Sequence, residues 1–231
     1  MLNKNGYESY DEVISRGNVA LSVDEFKTLA AQDEYMVLDV RHETDYGVGH
    51  IPGSRFIGLD GNFAMWVGTL IQDINQKIIL VAPEGREIEA LTRLSRVGYD
   101  NTVGYLKGGF KAWFEYGEPI ETERQISAEM FAKFHKEKEI VTLDVRKPSE
   151  YDAEHIQDAR LFSVDYIFDH LDQLDKNVTY YLHCAGGYRS MSAISILRQY
   201  GYTNLVNISG GFDAIRFTDV PVTEYVCPST V

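Results

Sequence analysis

Short apolar runs alternate along this chain with stretches in which apolar residues recur every three or four positions. The runs "YMVLDV" (35–40) and "IVTLDV" (140–145) are β-branched and lack a clean in–out alternation, the pattern of parallel strands covered on both faces. Further strand-like runs, "KIILVA" (77–82) and "VTYYLHC" (178–184), lead directly into the helical patterns "EIEALTRLSRVG" and "SMSAISILRQYG". "TVGYL" and "NLVNI" follow, each closed by a Gly-Gly-Phe helix start. Upstream, Ser22 with Glu25 three positions on predicts a capping box ahead of Phe26 and Leu29, and Ser127 is placed to cap "AEMFAKFHKE".

This order of elements occurs twice because the sequence repeats itself. "VLDVRHETDYGVGHIPGSRFI" (37–57) aligns with "TLDVRKPSEYDAEHIQDARLF" (142–162), sharing L-D-V-R, an acidic residue followed by Tyr, and a later H-I. "GYDNTVGYLKGGFKAW" (98–113) aligns with "GYTNLVNISGGFDAI" (201–215). Strands alternating with helices predict an α/β fold of two tandem domains, each a mainly parallel sheet with helices on both faces. The expected boundaries are an N-terminal linker over 1–19, a first domain over 20–120 and a second over 125–225. Gly, Pro and charge cluster in the linker between them, near 117–125.

Composition narrows the partners. The 231 residues carry a formal charge of -13, which argues against a nucleic-acid surface, because neutralising phosphates needs clustered Lys and Arg. No apolar stretch has signal-peptide or membrane-spanning character, so a soluble, cytoplasmic protein is expected. Only Cys184 and Cys227 are present, too few for a disulfide framework, which favours a reducing compartment. The scattered histidines show no metal-binding spacing, and no metal or organic cofactor is expected.

The candidate chemistry lies in "HCAGGYRSMSAISIL" (183–197). Cys184 ends a strand, where sheets of this class bind ligands. Ala185, Gly186 and Gly187 let the backbone curl around it, so that loop N–H groups and the positive end of the following helix can form an anion nest. Arg189 and Ser190 would add donors, and Tyr188 is a candidate for lining the mouth. Such a field favours the nucleophilic thiolate. From Asn177 to Phe212 there is no Asp or Glu, which suits an anionic substrate. Protein phosphatases that use a cysteine loop place one more residue between Cys and Arg than the four found here, so the tighter ring favours attack on a sulfane sulfur over phosphate. Asp39 with Arg41 and Asp144 with Arg146 recur in both copies, which predicts a structural role as buried charge-assisted hydrogen bonds between elements.

The L-D-V-R, H-I, Cys-loop-Arg-Ser and G-G-F pattern resembles rhodanese-family sulfurtransferases over nearly the whole chain. In detail, "GHIPGSRFIGLDGNFAMWVGTLI", "LVAPEGREIE" and "HCAGGYRSMSAISIL" resemble the tandem rhodanese region that follows a metallo-β-lactamase-type persulfide dioxygenase in bacterial fusion proteins. The resemblance implies that Cys184 is the catalytic cysteine, Ala185 to Arg189 its loop, and Asp144 and Arg146 the structural pair. It implies thiosulfate, a glutathione-type persulfide and sulfite as small anionic substrates, and a persulfide dioxygenase domain as a possible partner on a longer chain. Copy one departs from the pattern: aligned by the G-G-F anchors, Ala82 takes the cysteine position and Glu87 the arginine position, so this copy is expected to be catalytically silent. Two other readings remain open at this point, a Cys-loop phosphatase or arsenate reductase, and a non-catalytic binding module.

Overall fold

The computed structural model describes residues 10–227, which fall into two compact units. The first holds the described residues up to His42 and His50–Glu121; the second holds Glu43–Gly49 and the described residues from Thr122 onward.

In chain order the first unit contains α1 (Tyr10–Gly17), β1 (Ala20–Leu21), α2 (Val23–Ala30) and β2 (Tyr35–Asp39). After α3 (Glu43–Val48), which belongs to the second unit, it continues with β3 (Arg55–Phe56), α4 (Phe63–Leu70), β4 (Lys77–Val81), α5 (Glu87–Ser95), β5 (Thr102–Leu106) and α6 (Gly109–Tyr116). The second unit then runs β6 (Gln125–Ile126), α7 (Ala128–Glu137), β7 (Val141–Asp144), α8 (Pro148–Ala153), β8 (Arg160–Leu161), β9 (Tyr180–His183), α9 (Tyr188–Gln199), β10 (Leu205–Ile208) and α10 (Gly211–Ile215). Where the first unit has α4, the second has a 3-10 segment over Val164–Asp169.

Each unit is built on one five-stranded sheet, ordered β1-β5-β4-β2-β3 in the first and β6-β10-β9-β7-β8 in the second, with every pair of strands parallel. The fold is thus two α/β domains with parallel sheets flanked by helices. The run Ile78 to Val81 in β4 is completely buried, which is why it shows no polar alternation. The Ser22 capping box is present, with Ser22 Oγ accepting the Glu25 N–H at 3.3 Å and the Glu25 carboxylate accepting the Ser22 N–H at 2.8 Å. Ser127 Oγ accepts the Met130 N–H at 3.2 Å and starts α7 in the same way. Phe26 meets Trp113 edge-on in the first core, while Phe131, Ile208, Phe212 and Ile215 anchor the second.

The stretch read from sequence as a linker, residues 1–19, lies outside the described residues over its first half. Its second half forms α1, which buries Val13 and donates from Arg16 to the Asp100 carbonyl at 2.7 Å. No described helix is long and apolar enough to cross a membrane.

Candidate active site

The site sits at the carboxyl end of β9. Cys184 follows directly on His183, and the chain turns through Ala185, Gly186 and Gly187 before α9 begins. Gly187 adopts φ 127°, a conformation that side-chain-bearing residues rarely take, and its N–H donates back to Cys184 Sγ, 3.0 Å away. Cys184 is 1% exposed, so the sulfur forms the floor of the loop. A Cβ added at Gly186 or Gly187 would meet no atom within 4 Å, and Gly186 itself is exposed.

A second element pins the loop from below. The Phe212 N–H at the start of α10 donates to the Cys184 carbonyl at 2.7 Å, and the Asp213 N–H donates to the Ala185 carbonyl at 3.1 Å. Such close approach requires Gly211, whose φ is 55° and whose added Cβ would lie 2.3 Å from the Ala185 oxygen and 2.5 Å from the Cys184 oxygen. This is the physical content of the G-G-F motif. Gly211→Ala should therefore cost about 2–3 kcal/mol of stability, combining backbone strain with overpacking. Urea unfolding checks the stability and sulfur loading checks the loop; a variant as stable and active as the parent would disprove the pinning.

Phe212 also links the loop to the Asp144–Arg146 pair. The Arg146 guanidinium lies 4.0 Å from the Phe212 ring centre and donates to both Asp144 carboxylate oxygens at 2.6 to 3.0 Å. The two residues are neighbours at one strand end, so their ion pair is local. Arg146 makes the connection between elements through its hydrogen bond to the Glu154 carbonyl at 2.7 Å and through Phe212. In the first unit, Arg41 binds Asp39 in the same way and lies 4.2 Å from the Phe110 ring centre.

His183 is fully buried, stacks beside Phe212 and leaves Nε2 without a hydrogen-bond partner, 3.8 Å from Asp144 Oδ2. Burial lowers its pKa below the ordinary 6.5; the Asp144 charge opposes this, while Arg146 and Arg189 add to it. The folded imidazole therefore stays neutral where the unfolded chain takes up a proton. Its contribution to stability is complete above about pH 6.5 and is lost as pH falls through the lowered folded value. In His183→Gln the urea midpoint should decline less than in the parent between about pH 7.5 and 5.5. Equal slopes would show that His183 does not carry this dependence.

Arg189 lies at the first turn of α9, and its partner was not legible in the local sequence. Both terminal nitrogens bind the Glu150 carboxylate, Nη2 to Oε1 at 2.9 Å. The acid-free window around the loop is real in sequence, but α8 brings in an acid from 39 residues away. The signal available was the repeated acidic-Tyr pair, which includes Glu150. Burial raises the Glu150 pKa, but hydrogen bonding and charge from Arg189, with help from the Lys147 N–H and the Arg146 charge, outweigh it and hold the carboxyl below its usual value. Burial works against the charge on Arg189, and the Glu150 hydrogen bond more than restores it.

Ser190 is fully buried, with Oγ 3.7 Å from Cys184 Sγ, 2.9 Å from the Gly187 carbonyl and 2.8 Å from Asn207 Oδ1. Asn207, which sequence reasoning missed, in turn donates to Gln125 Oε1 at 3.3 Å. Tyr188 is half-buried at the start of α9, and Ala185 is half-buried in the loop. Cys184 and Cys227 are both free of disulfides, the first buried and the second exposed.

Strand register gives the counterpart of the site in the first unit. Val81 sits opposite Asp39 as His183 sits opposite Asp144, so the next residues, Ala82 and Cys184, are equivalent. Gly109 approaches the Ala82 oxygen as Gly211 approaches that of Cys184. The fold around the position is kept while the thiol is gone.

Residues 22–116 and 127–217 each match the Rhodanese-like domain family. The chain belongs to that family. The chain has named relatives at low identity. The chain is 25% identical over 119 residues to thiosulfate sulfurtransferase 18 of Arabidopsis thaliana, an alignment covering 46% of this chain and 86% of that protein. It is 28% identical over 103 residues to thiosulfate sulfurtransferase GlpE of Pseudoalteromonas translucida, covering 44% and 94%. An uncharacterized Bacillus subtilis protein, YqhL, is 33% identical over 70 residues, 30% of this chain and 56% of that protein. Among solved structures, a rhodanese-like domain protein from Staphylococcus aureus aligns at 31% identity with TM-score 0.41, covering 45% of this chain and 99% of that one.

Proposed function

We propose that this chain is a sulfurtransferase that carries sulfane sulfur on Cys184 and that its first domain is catalytically silent. The observation that carries the reading is the Gly187 N–H donated to Sγ at 3.0 Å in a loop that also presents the cationic Arg189. An inward donor stabilises negative charge on sulfur, whether thiolate or persulfide. The named thiosulfate sulfurtransferases among its relatives support the same chemistry.

With thiosulfate as donor, the Cys184 thiolate attacks the outer sulfur, a new S–S bond forms, and the old one breaks with its electron pair leaving on sulfite. With a hydropersulfide R–S–SH, the outer sulfur and its proton pass to Cys184 and RS⁻ departs. Sulfite, cyanide or a thiol then removes the stored sulfur, completing a double displacement. Atoms and electrons balance at both steps without a metal or organic cofactor. Arg189, the Gly187 N–H and the other loop amides are assigned to binding the donor and the developing charge, Ser190 to the sulfur's inner side, and Asp144 with Arg146 to supporting the loop. We assign the chain to the cytoplasm, where its two thiols, neither of them in a disulfide, would stay reduced, and to sulfide and persulfide metabolism, with a persulfide dioxygenase domain on a longer chain as a proposed partner.

Intact mass after incubation with thiosulfate or glutathione persulfide tests the reading. One added sulfur that sulfite or cyanide removes is expected, and no loading of reduced, folded protein by either donor overturns it.

A further inference from the structure

Resting on the sulfurtransferase reading, we propose that Glu150 determines donor specificity. By neutralising Arg189 it makes the loop favour an organic hydropersulfide, uncharged at its reacting sulfurs, over the compact dianion thiosulfate.

Three features of the site support this. Arg189 is the cation carried by the loop itself, yet its terminal nitrogens are both held by one carboxylate. That carboxylate is fixed independently, since Glu150 stands at the third position of α8 and its Oε2 accepts the Lys147 N–H at 3.2 Å. The next guanidinium, Arg146, is bound to Asp144, and the buried His183 is kept neutral. Arg189 and Arg146 are therefore each matched by an acid before any donor arrives.

A dianion approaching the Cys184 thiolate meets repulsion from the sulfur and from Glu150, with Arg189 already engaged. Like charges brought together at a desolvated site discriminate strongly against the wrong ligand. The protonated hydropersulfide, the form that accepts attack at its outer sulfur, avoids this cost because its reacting pair carries no net charge. The Cys184 thiolate takes the outer sulfur with its proton, the S–S bond of the donor breaks, and the electron pair leaves on RS⁻. The departing thiolate carries a single charge, whereas thiosulfate would leave as doubly charged sulfite.

The test compares kcat/KM for thiosulfate and for an alkyl hydropersulfide, with cyanide as acceptor, in the parent and in Glu150→Gln. The variant should gain about tenfold or more with thiosulfate, chiefly through KM, and change less than about twofold with the hydropersulfide. The thiosulfate gain should shrink with added salt and vanish when Arg189→Gln is added to Glu150→Gln. Glu150→Asp, which keeps the charge but shortens the reach, should give a smaller gain and serves if Glu150→Gln does not fold. Equal losses with both donors would mean that Glu150 merely holds Arg189 in place, and unchanged kinetics would mean that the pair is idle; either overturns the proposal. If the parent loads from neither donor, the sulfurtransferase reading itself fails, which separates the two outcomes.

Discussion

Cys184→Ser is expected to abolish sulfur loading completely. The substitution is nearly isosteric, and the serine oxygen can still accept the Gly187 N–H that now reaches sulfur at 3.0 Å, so the loop keeps its shape. What disappears is the sulfur atom that attacks the donor and can hold a second sulfur. The far-UV spectrum and urea midpoint should match the parent, while the mass increment after incubation with thiosulfate or a persulfide falls to zero. Cys227 is the only other thiol in the chain and is exposed, so a parallel Cys227→Ser variant should load normally. Loading retained by Cys184→Ser and lost in Cys227→Ser would move the chemistry to the tail and refute the site.

Asp144→Ala should bring the largest loss of stability, about 3–5 kcal/mol, because it leaves a buried guanidinium without its counter-charge. Asp144 is wholly buried and accepts from the Arg146 backbone at 3.0 Å and from its side chain at 2.6 to 3.0 Å. Arg146 is 5% exposed and cannot swing into water without giving up Phe212 and the Glu154 carbonyl. A loss of this size is a large part of the stability of an ordinary domain, which is about 5–15 kcal/mol in total. Faster amide exchange across β7, β9 and β10, together with a lower urea midpoint, is the expected readout. Replacing Asp144 and Arg146 together by apolar residues should cost much less than removing Asp144 alone, since no charge is then stranded. Were the single and double changes equally costly, the pair would not act as a unit.

Much of this architecture was legible because buried parallel strands write themselves as apolar runs. Ile78 to Val81 and Tyr180 to His183 mark the central strands, and the repeated L-D-V-R and G-G-F segments mark the ends of the sheet. The edge strands β1, β3, β6 and β8, of two residues each, are too short to leave a period. Helix α1 was missed because its polar, charged residues dock through only a few buried positions. At the site, Gly187 and Arg189 were readable from local spacing, whereas Glu150 and Asn207 were not. Both reach the loop from other elements, and charge counted along a window of sequence cannot register what the fold brings in from outside it.

The Ser190 hydroxyl carries a single hydrogen and faces three acceptors, one of them the sulfur. Which of the three it serves depends on how electron-rich that sulfur is. On the proposed chemistry, loading and unloading the cysteine would redirect this one hydroxyl hydrogen among its acceptors, so that Asn207 would gain or lose a donor with the state of the carrier.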